Sequence, residues 1–272
     1  MSTSQEALHR RYGDAAFAAS DEWNAVIDQL LDHRSVRAFT DEPLAEGTLD
    51  TLMAAAQSAA TSSNLQTVSV VAVTDPARKE KLSEWAGGQK HIIEAPLFLV
   101  WLADLSRFDR IAEQQDVSLE ALPYFENTLL ATIDTALAAQ NATVALESLG
   151  LGAVYVGGIR NHIDWVSEEL NLPQHVYPVF GMSIGHPDPE RPTSVRPRLP
   201  KDAILHHEQY STDAEPGLID QYDDILRAFY QSQNMRDASW TEQMVKRLRS
   251  VKSLSHREVL AQLIKERGFS LD

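Results

Sequence analysis

The amino-acid sequence predicts a domain of mixed helices and strands, α/β or α+β. Stretches with helical apolar spacing alternate with short β-branched runs, and Pro, Gly and Asp bound those runs. The composition, 43% apolar and 23% charged, is that of an ordinary globular chain. A length of 272 residues permits one large domain or two small ones. The formal charge of −15 opposes a general affinity for nucleic acid, whose phosphates call for a basic surface, yet it leaves room for a local basic pocket. With no cysteine, disulfides, thiolate metal sites and a cysteine nucleophile are excluded, and a reducing compartment is a natural fit.

Taken in order, residues 1–22 are rich in Ala and Ser with mixed charges, and read as a helical or partly mobile extension to which no function attaches. They lack the apolar core of a secretory signal, and no run of about 18 apolar residues marks a membrane span, so a cytoplasmic location is expected. Val26, Ile27, Leu30 and Leu31 then recur at helical spacing; after Asp41, Pro43 and Gly47, the residues Leu49, Leu52, Met53 and Ala56 resume it. Polar ATSSNLQ at 60–66 leads into a β-branched run, a loop feeding a strand. APLFLVWLAD at 95–104 reads as a buried strand. The stretch 129–149, Ala-rich with large apolar residues on more than one side, predicts a long helix buried in the middle of the molecule. GLGAVYVGG and VYPVFGMSIG supply two further strands. The prolines of HPDPERPTSVRPRLP exclude a regular helix and predict an extended crossing segment. Leu218, Tyr222, Ile225, Leu226 and Phe229 mark an amphipathic helix, and Val259, Leu260, Leu263 and Ile264 a final helical segment. Residues 23–272 therefore read as a single domain with a C-terminal extension.

Chemistry concentrates in HRSVRAFTDEPL at 33–44, where Arg34, Ser35 and Arg37 offer charge-assisted donors to a phosphate. The plainer reading is a solvated helix end whose cations complement the C-terminal dipole. Arg196 and Arg198 in VRPRLP form a second basic group on a proline-stiffened backbone, suited to converge on the same anion or to sit in a surface loop. GLGAVYVGG lacks the spacing of a dinucleotide fingerprint; Gly157 and Gly158 instead allow backbone to approach a flat ligand. The nine histidines are scattered, and no metal site is expected. TEQMVKRLRSVKSLSHR reads as a solvated basic helix face.

The ordered series HRSVRAFTDEPL, ATSSNLQ, GGQKH, AQNATVALESLGLGAVYVGGIRN, LPQHVYPVFGMSIGHP and RPRLP resembles the nitroreductase family of flavoproteins, in its oxygen-insensitive NADPH nitroreductase and flavin reductase branch. The resemblance runs from about Trp23 to Phe269. It implies an α+β sandwich, a central mixed sheet surrounded by helices, in a homodimer with FMN at the subunit interface. By the same resemblance, His33, Arg34, Ser35 and Arg37 line the FMN site, and Arg34 and Ser35 with Arg196 and Arg198 face the phosphate and ribityl end. Arg37 and Gln89 lie near the pyrimidine edge, Val156, Gly157 and Gly158 pass close to the ring, and Ser62, Ser63, Asn64 and Gln66 come from the neighbouring subunit. Electrons pass from NAD(P)H through flavin N5 to a small-molecule acceptor, a nitroaromatic, quinone or flavin, in ping-pong order. No side chain acts as nucleophile; Arg37 is an electrostatic stabiliser. Arg236 is the implied NADPH contact, while Gln233 stands where the branch has an arginine, and Arg196 where relatives often have lysine. A same-fold flavoenzyme with a specialised acceptor and a non-catalytic flavin-binding protein are the competing readings.

Overall fold

A computed structural model describes residues 3–13, 17–235 and 237–270. The helices in chain order are α1 (Ser4–Tyr12), α2 (Ala25–Asp32), α3 (Thr48–Gln57), α4 (Pro76–Trp85), α5 (Lys90–Glu94), α6 (Ser106–Gln115), α7 (Phe125–Ser148), α8 (Ile163–Glu169), α9 (Glu215–Ser232), α10 (Trp240–Leu248) and α11 (Leu260–Glu266). The strands are β1 (Val68–Val73), β2 (Leu97–Asp104), β3 (Gly152–Val156) and β4 (Val176–Gly185). The chain divides into two compact units, Met1–Arg34 with Thr193–Ser253, and Ser35–Pro192 with Leu254–Asp272.

The larger unit is built on a sheet of order β1-β2-β4-β3. Every residue of β2 is buried because both faces of this strand are covered. Leu97, Leu99 and Trp101 pack with Leu52 of α3 and Ala138, Ala139, Ala142 and Leu146 of α7. The alternate residues Phe98, Val100 and Leu102 pack with Leu82, Ile92, Ile159 and Val166 on the other side. Two covered faces explain why the strand reads as an unbroken apolar run. The α+β class expected from the sequence is borne out. All pairings among the described strands are antiparallel, so the parallel component of the expected mixed sheet is not among them.

The long helix is present but is not buried all round. Its small side chains face the sheet, allowing close approach, while Phe125, Leu129, Ile133 and Leu137 are 44–49% exposed. By length and mean composition α7 is apolar enough to cross a membrane, although polar residues interrupt it and it holds no unbroken run of about 18 apolar residues. Its inward face, however, carries Asp134, fixed by hydrogen bonds from Ser62 and Thr67, and packs as a core helix.

In the smaller unit, Tyr222, Leu226 and Tyr230 of α9 form a core with Leu199 and Trp240. Asp223 of α9 accepts from the Thr241 N–H at 3.0 Å, and Ser239 caps α10 with Glu242 returning the bond, so two helices are locked at one corner. The proline-rich segment is neither helix nor strand up to the short 3₁₀ turn Lys201–Ala203, as expected.

Candidate functional site

The division between the units falls between Arg34 and Ser35, inside the basic stretch. In the larger unit this stretch lies extended along the sheet. The Val36 N–H donates to the Ala153 carbonyl of β3 at 2.9 Å, the Thr40 N–H to His186 at 3.0 Å, and the Asp188 N–H to Ala38 at 3.1 Å. Val36, Ala38 and Phe39 are buried, whereas Arg37 is exposed. Gly152 makes the docking possible, since a Cβ there would lie 2.6 Å from a Val36 methyl. Alternation along an extended backbone thus aims Arg37 outward.

Gln89 precedes α5 in the GGQKH loop, where Ser83 Oγ donates to the Gln89 carbonyl at 3.0 Å. Its side-chain oxygen contacts His91 Nε2 at 3.0 Å, and His91 Nδ1 contacts Ser183 Oγ at 3.0 Å. Burial holds the His91 pKa below its ordinary value, the positive charge of Arg37 lowers it further, and Glu94 opposes both. A neutral ring donating from Nε2 to Gln89 and accepting at Nδ1 from Ser183 satisfies both contacts. His91 belongs to the quoted motif, yet its anchoring role was missed by sequence reasoning; only its single-residue separation from Gln89 hinted at it.

Val156 is buried at the end of β3, and Gly157 and Gly158 begin the 3₁₀ segment Gly157–His162. A Cβ on Gly158 would collide with the Ala86 carbonyl oxygen, so the packing of this segment on the end of α4 already demands glycine there. Ser62, Ser63, Asn64 and Gln66 sit in an exposed loop with left-handed backbone at Ser63, Asn64 and Gln66 (φ 50°, 56° and 53°). Asp134 fixes that loop, accepting from the Ser62 N–H and the Thr67 hydroxyl, each at 3.1 Å.

In the smaller unit, His33 ends α2, and Arg34 is half-exposed and paired with Asp32 at 2.6 Å. Arg196 and Arg198 are exposed around buried Pro197, whose carbonyl accepts from the Tyr222 hydroxyl at 3.0 Å. The Arg196 guanidinium lies over the Tyr230 ring, 5.7 Å from its centroid. These two segments are brought to one side chain. Arg11 of α1 donates to the carbonyls of Leu31, His33 and Arg196, and its own carbonyl accepts from the Arg198 N–H at 2.9 Å. Beside them is a cavity of about 550 Å³ whose lining includes Tyr12, Arg196, Arg198, Tyr222 and Trp240. Gln233 accepts from Ser194 at 2.7 Å, which ties the end of α9 to the proline-rich segment. Arg236 lies outside the described residues. Among the described residues no cluster of three or more metal-ligating side chains occurs.

The nitroreductase family model matches residues 30–186, and the model of the nitroreductase family C-terminal domain matches residues 196–272. The chain is 39% identical over 254 residues to an FMN reductase (NADPH) of Bacillus subtilis, covering 91% of this chain and 99% of that protein. It is 42% identical over 218 residues to an oxygen-insensitive NADPH nitroreductase of Salmonella typhimurium, covering 79% of this chain and 88% of that one. A solved NADPH:FMN oxidoreductase from Vibrio harveyi, in complex with NAD+, superimposes with a TM-score of 0.81 at 34% identity, covering 90% of this chain and 99% of that one.

Proposed function

Because the chain belongs to the nitroreductase family, we propose that it is an FMN-dependent NAD(P)H oxidoreductase that reduces nitroaromatics, quinones or flavins by two electrons. The observation that carries this reading is the basic cluster of the smaller unit, where the Arg11 guanidinium donates to the carbonyls of both His33 and Arg196 and so brings the segments bearing Arg34, Arg196 and Arg198 together. Within the larger unit, Arg37 is aimed outward from a locked extended stretch, and its charge is felt at His91, the partner of Gln89. Permanently charged planar donors suit a phosphate monoester, and an amide with a cation suits the polar edge of a flavin ring. The residues present therefore fit FMN.

Held by these residues, FMN would supply the hydride-transfer chemistry between NAD(P)H and the acceptor, with ping-pong kinetics expected. The chain's own residues bind and orient. In this reading His33, Arg34, Ser35, Arg196 and Arg198 hold the phosphate and ribityl end. Gln89 addresses the pyrimidine edge, and Arg37 stabilises negative charge there. Val156, Gly157 and Gly158 line the ring, and Arg236 contacts NADPH. Gln233, held by Ser194, supplies no cation, so discrimination between NADPH and NADH rests on fewer charges. A cytoplasmic location, where NAD(P)H is available, belongs to the same reading.

Homodimer formation is also proposed, with Ser62, Ser63, Asn64 and Gln66 reaching the neighbouring subunit's flavin. The exposed apolar stripe of α7 supports it, because four large side chains at i, i+4 spacing form a helix face that water covers at a cost. The test is a visible spectrum of the purified protein followed by anaerobic NADPH or NADH. A flavin spectrum that bleaches with NADPH and recovers with a quinone or nitroaromatic is expected. Colourless protein that also fails to bind added FMN would defeat the reading.

A further inference from the structure

We infer that Arg11, in the N-terminal extension, is a positioning residue that orders the two phosphate-facing segments of the smaller unit for flavin binding. The inference rests on the proposed role of Arg34, Arg196 and Arg198 toward the FMN phosphate. Arg11 is 4% exposed, although it stands in a short helix next to exposed Arg10. A guanidinium withdrawn from water is costly unless its donors are satisfied, and here they are satisfied by backbone. Nε donates to the Leu31 carbonyl at 3.2 Å, Nη2 to Leu31 at 2.8 Å and to His33 at 2.5 Å, and Nη1 to Arg196 at 2.8 Å.

The acceptors determine what the side chain accomplishes. The carbonyls of Leu31 and His33 belong to the end of α2, where the last acceptors of a helix have no partner of their own. Arg11 caps that end and fixes the backbone from which His33 and Arg34 project. The third acceptor, Arg196, is itself a proposed phosphate ligand, and the bond from the Arg198 N–H to the Arg11 carbonyl holds the other end of the same tripeptide. One residue therefore sets the spacing between two segments far apart in sequence. Its rigid fork can bond several carbonyls at once, which a lysine ammonium on a flexible stem does poorly. The helix carrying it is secured by Thr3 and Glu6 in a reciprocal cap and by burial of Ala7 and Leu8. The extension is thereby part of the cofactor-binding apparatus.

Riboflavin, which lacks the phosphate, separates positioning from general support of the fold. Apoprotein affinities for FMN and riboflavin are measured by flavin fluorescence quenching for the parent chain and for Arg11→Ala, Arg11→Lys, Arg10→Ala and Arg198→Ala. Arg11→Ala is expected to weaken FMN by about tenfold or more, the scale of one lost charged hydrogen bond, and to weaken riboflavin, which keeps the ribityl chain but lacks the phosphate, by much less. Arg11→Lys should recover only part of the loss, and Arg10→Ala should match the parent. Equal weakening of both flavins, or unchanged FMN affinity in Arg11→Ala, overturns the inference. If Arg11→Ala does not fold, Arg11→Lys decides by the same criterion: a selective loss for FMN supports the inference, and an equal or absent loss overturns it. Loss of FMN preference in Arg198→Ala but not in the Arg11 variants removes the positioning role alone. No loss of preference in Arg198→Ala removes the phosphate reading beneath it, and the inference with it.

Discussion

Asp134 carries a carboxyl on the inward side of an alanine-rich helix, 3% exposed, and uses it to hold a loop with three left-handed residues. Replacing it with Ala leaves the Ser62 N–H and the Thr67 hydroxyl without their acceptor, a loss of about 1–3 kcal/mol. Urea unfolding of Asp134→Ala should show it, and an unchanged midpoint would mean the loop does not depend on this carboxyl. His91 gives a pH signature. Its native pKa lies below the ordinary value of about 6.5, first through burial and then through Arg37. Between those two values the unfolded chain binds more protons than the native one. The His91 contribution is thus fully present above about pH 6.5 and is lost as pH falls through the native pKa. His162, likewise lowered by burial first and then by His256, adds to the same limb. Stability measured from pH 7.5 to 5 should fall less steeply in His91→Phe than in the parent; equal slopes would sink the assignment. The grouped arginines were legible in the sequence because like charges side by side need a reason. Asp134, His91 and Arg11 were not, since spacing does not tell which polar side chain turns inward; Arg10 and Arg11 are chemically identical and differ only in which side of α1 they occupy.

At the scale of elements, the extended stretch at 35–39 and the 3₁₀ segment after β3 are both positioned by close backbone approach. Gly158→Ala places a methyl against the Ala86 carbonyl oxygen, which the end of α4 must move to accommodate. We expect it to cost about 1–3 kcal/mol and, if Gly157 and Gly158 line the flavin ring as proposed, to weaken FMN and riboflavin alike. Unfolding midpoints and the two flavin affinities report on these separately, and an Ala variant with parent stability would show that the approach is not tight. Strand β2 was legible because a short apolar run, preceded by Pro96 and closing on Asp104, has the length of a strand covered on both faces. The outward side of α7 was only half legible for a related reason. Large apolar residues on a second side give the same pattern whether that side is buried within the chain or left for another chain to cover. Leu129, Ile133 and Leu137 sit on such a side, 44–49% exposed.

For the whole molecule that stripe decides between two states. A monomer would keep Phe125, Leu129, Ile133 and Leu137 in water, together with a neighbouring cavity of about 590 Å³ bordered by Met53, Phe108 and Ile111. Association of two copies through α7 would remove the stripe from water at about 25 cal/mol per Å² of apolar surface. It would also bring each chain's 62–66 loop to the other's site. Ile133→Asp puts a carboxylate in the middle of that surface and leaves the single chain's packing untouched, because the side chain points away from the sheet. Burying an unpaired charge should raise the dimer dissociation constant by about 100-fold or more. Sedimentation should then show the mass of one chain where the parent shows two, and bound flavin should fall with dilution in step with the dimer. If Ile133→Asp stays dimeric, the α7 face is not the interface. If it becomes monomeric and keeps its flavin undiminished, Ser62, Ser63, Asn64 and Gln66 do not serve the neighbouring subunit, and each chain must hold the cofactor with its own residues alone.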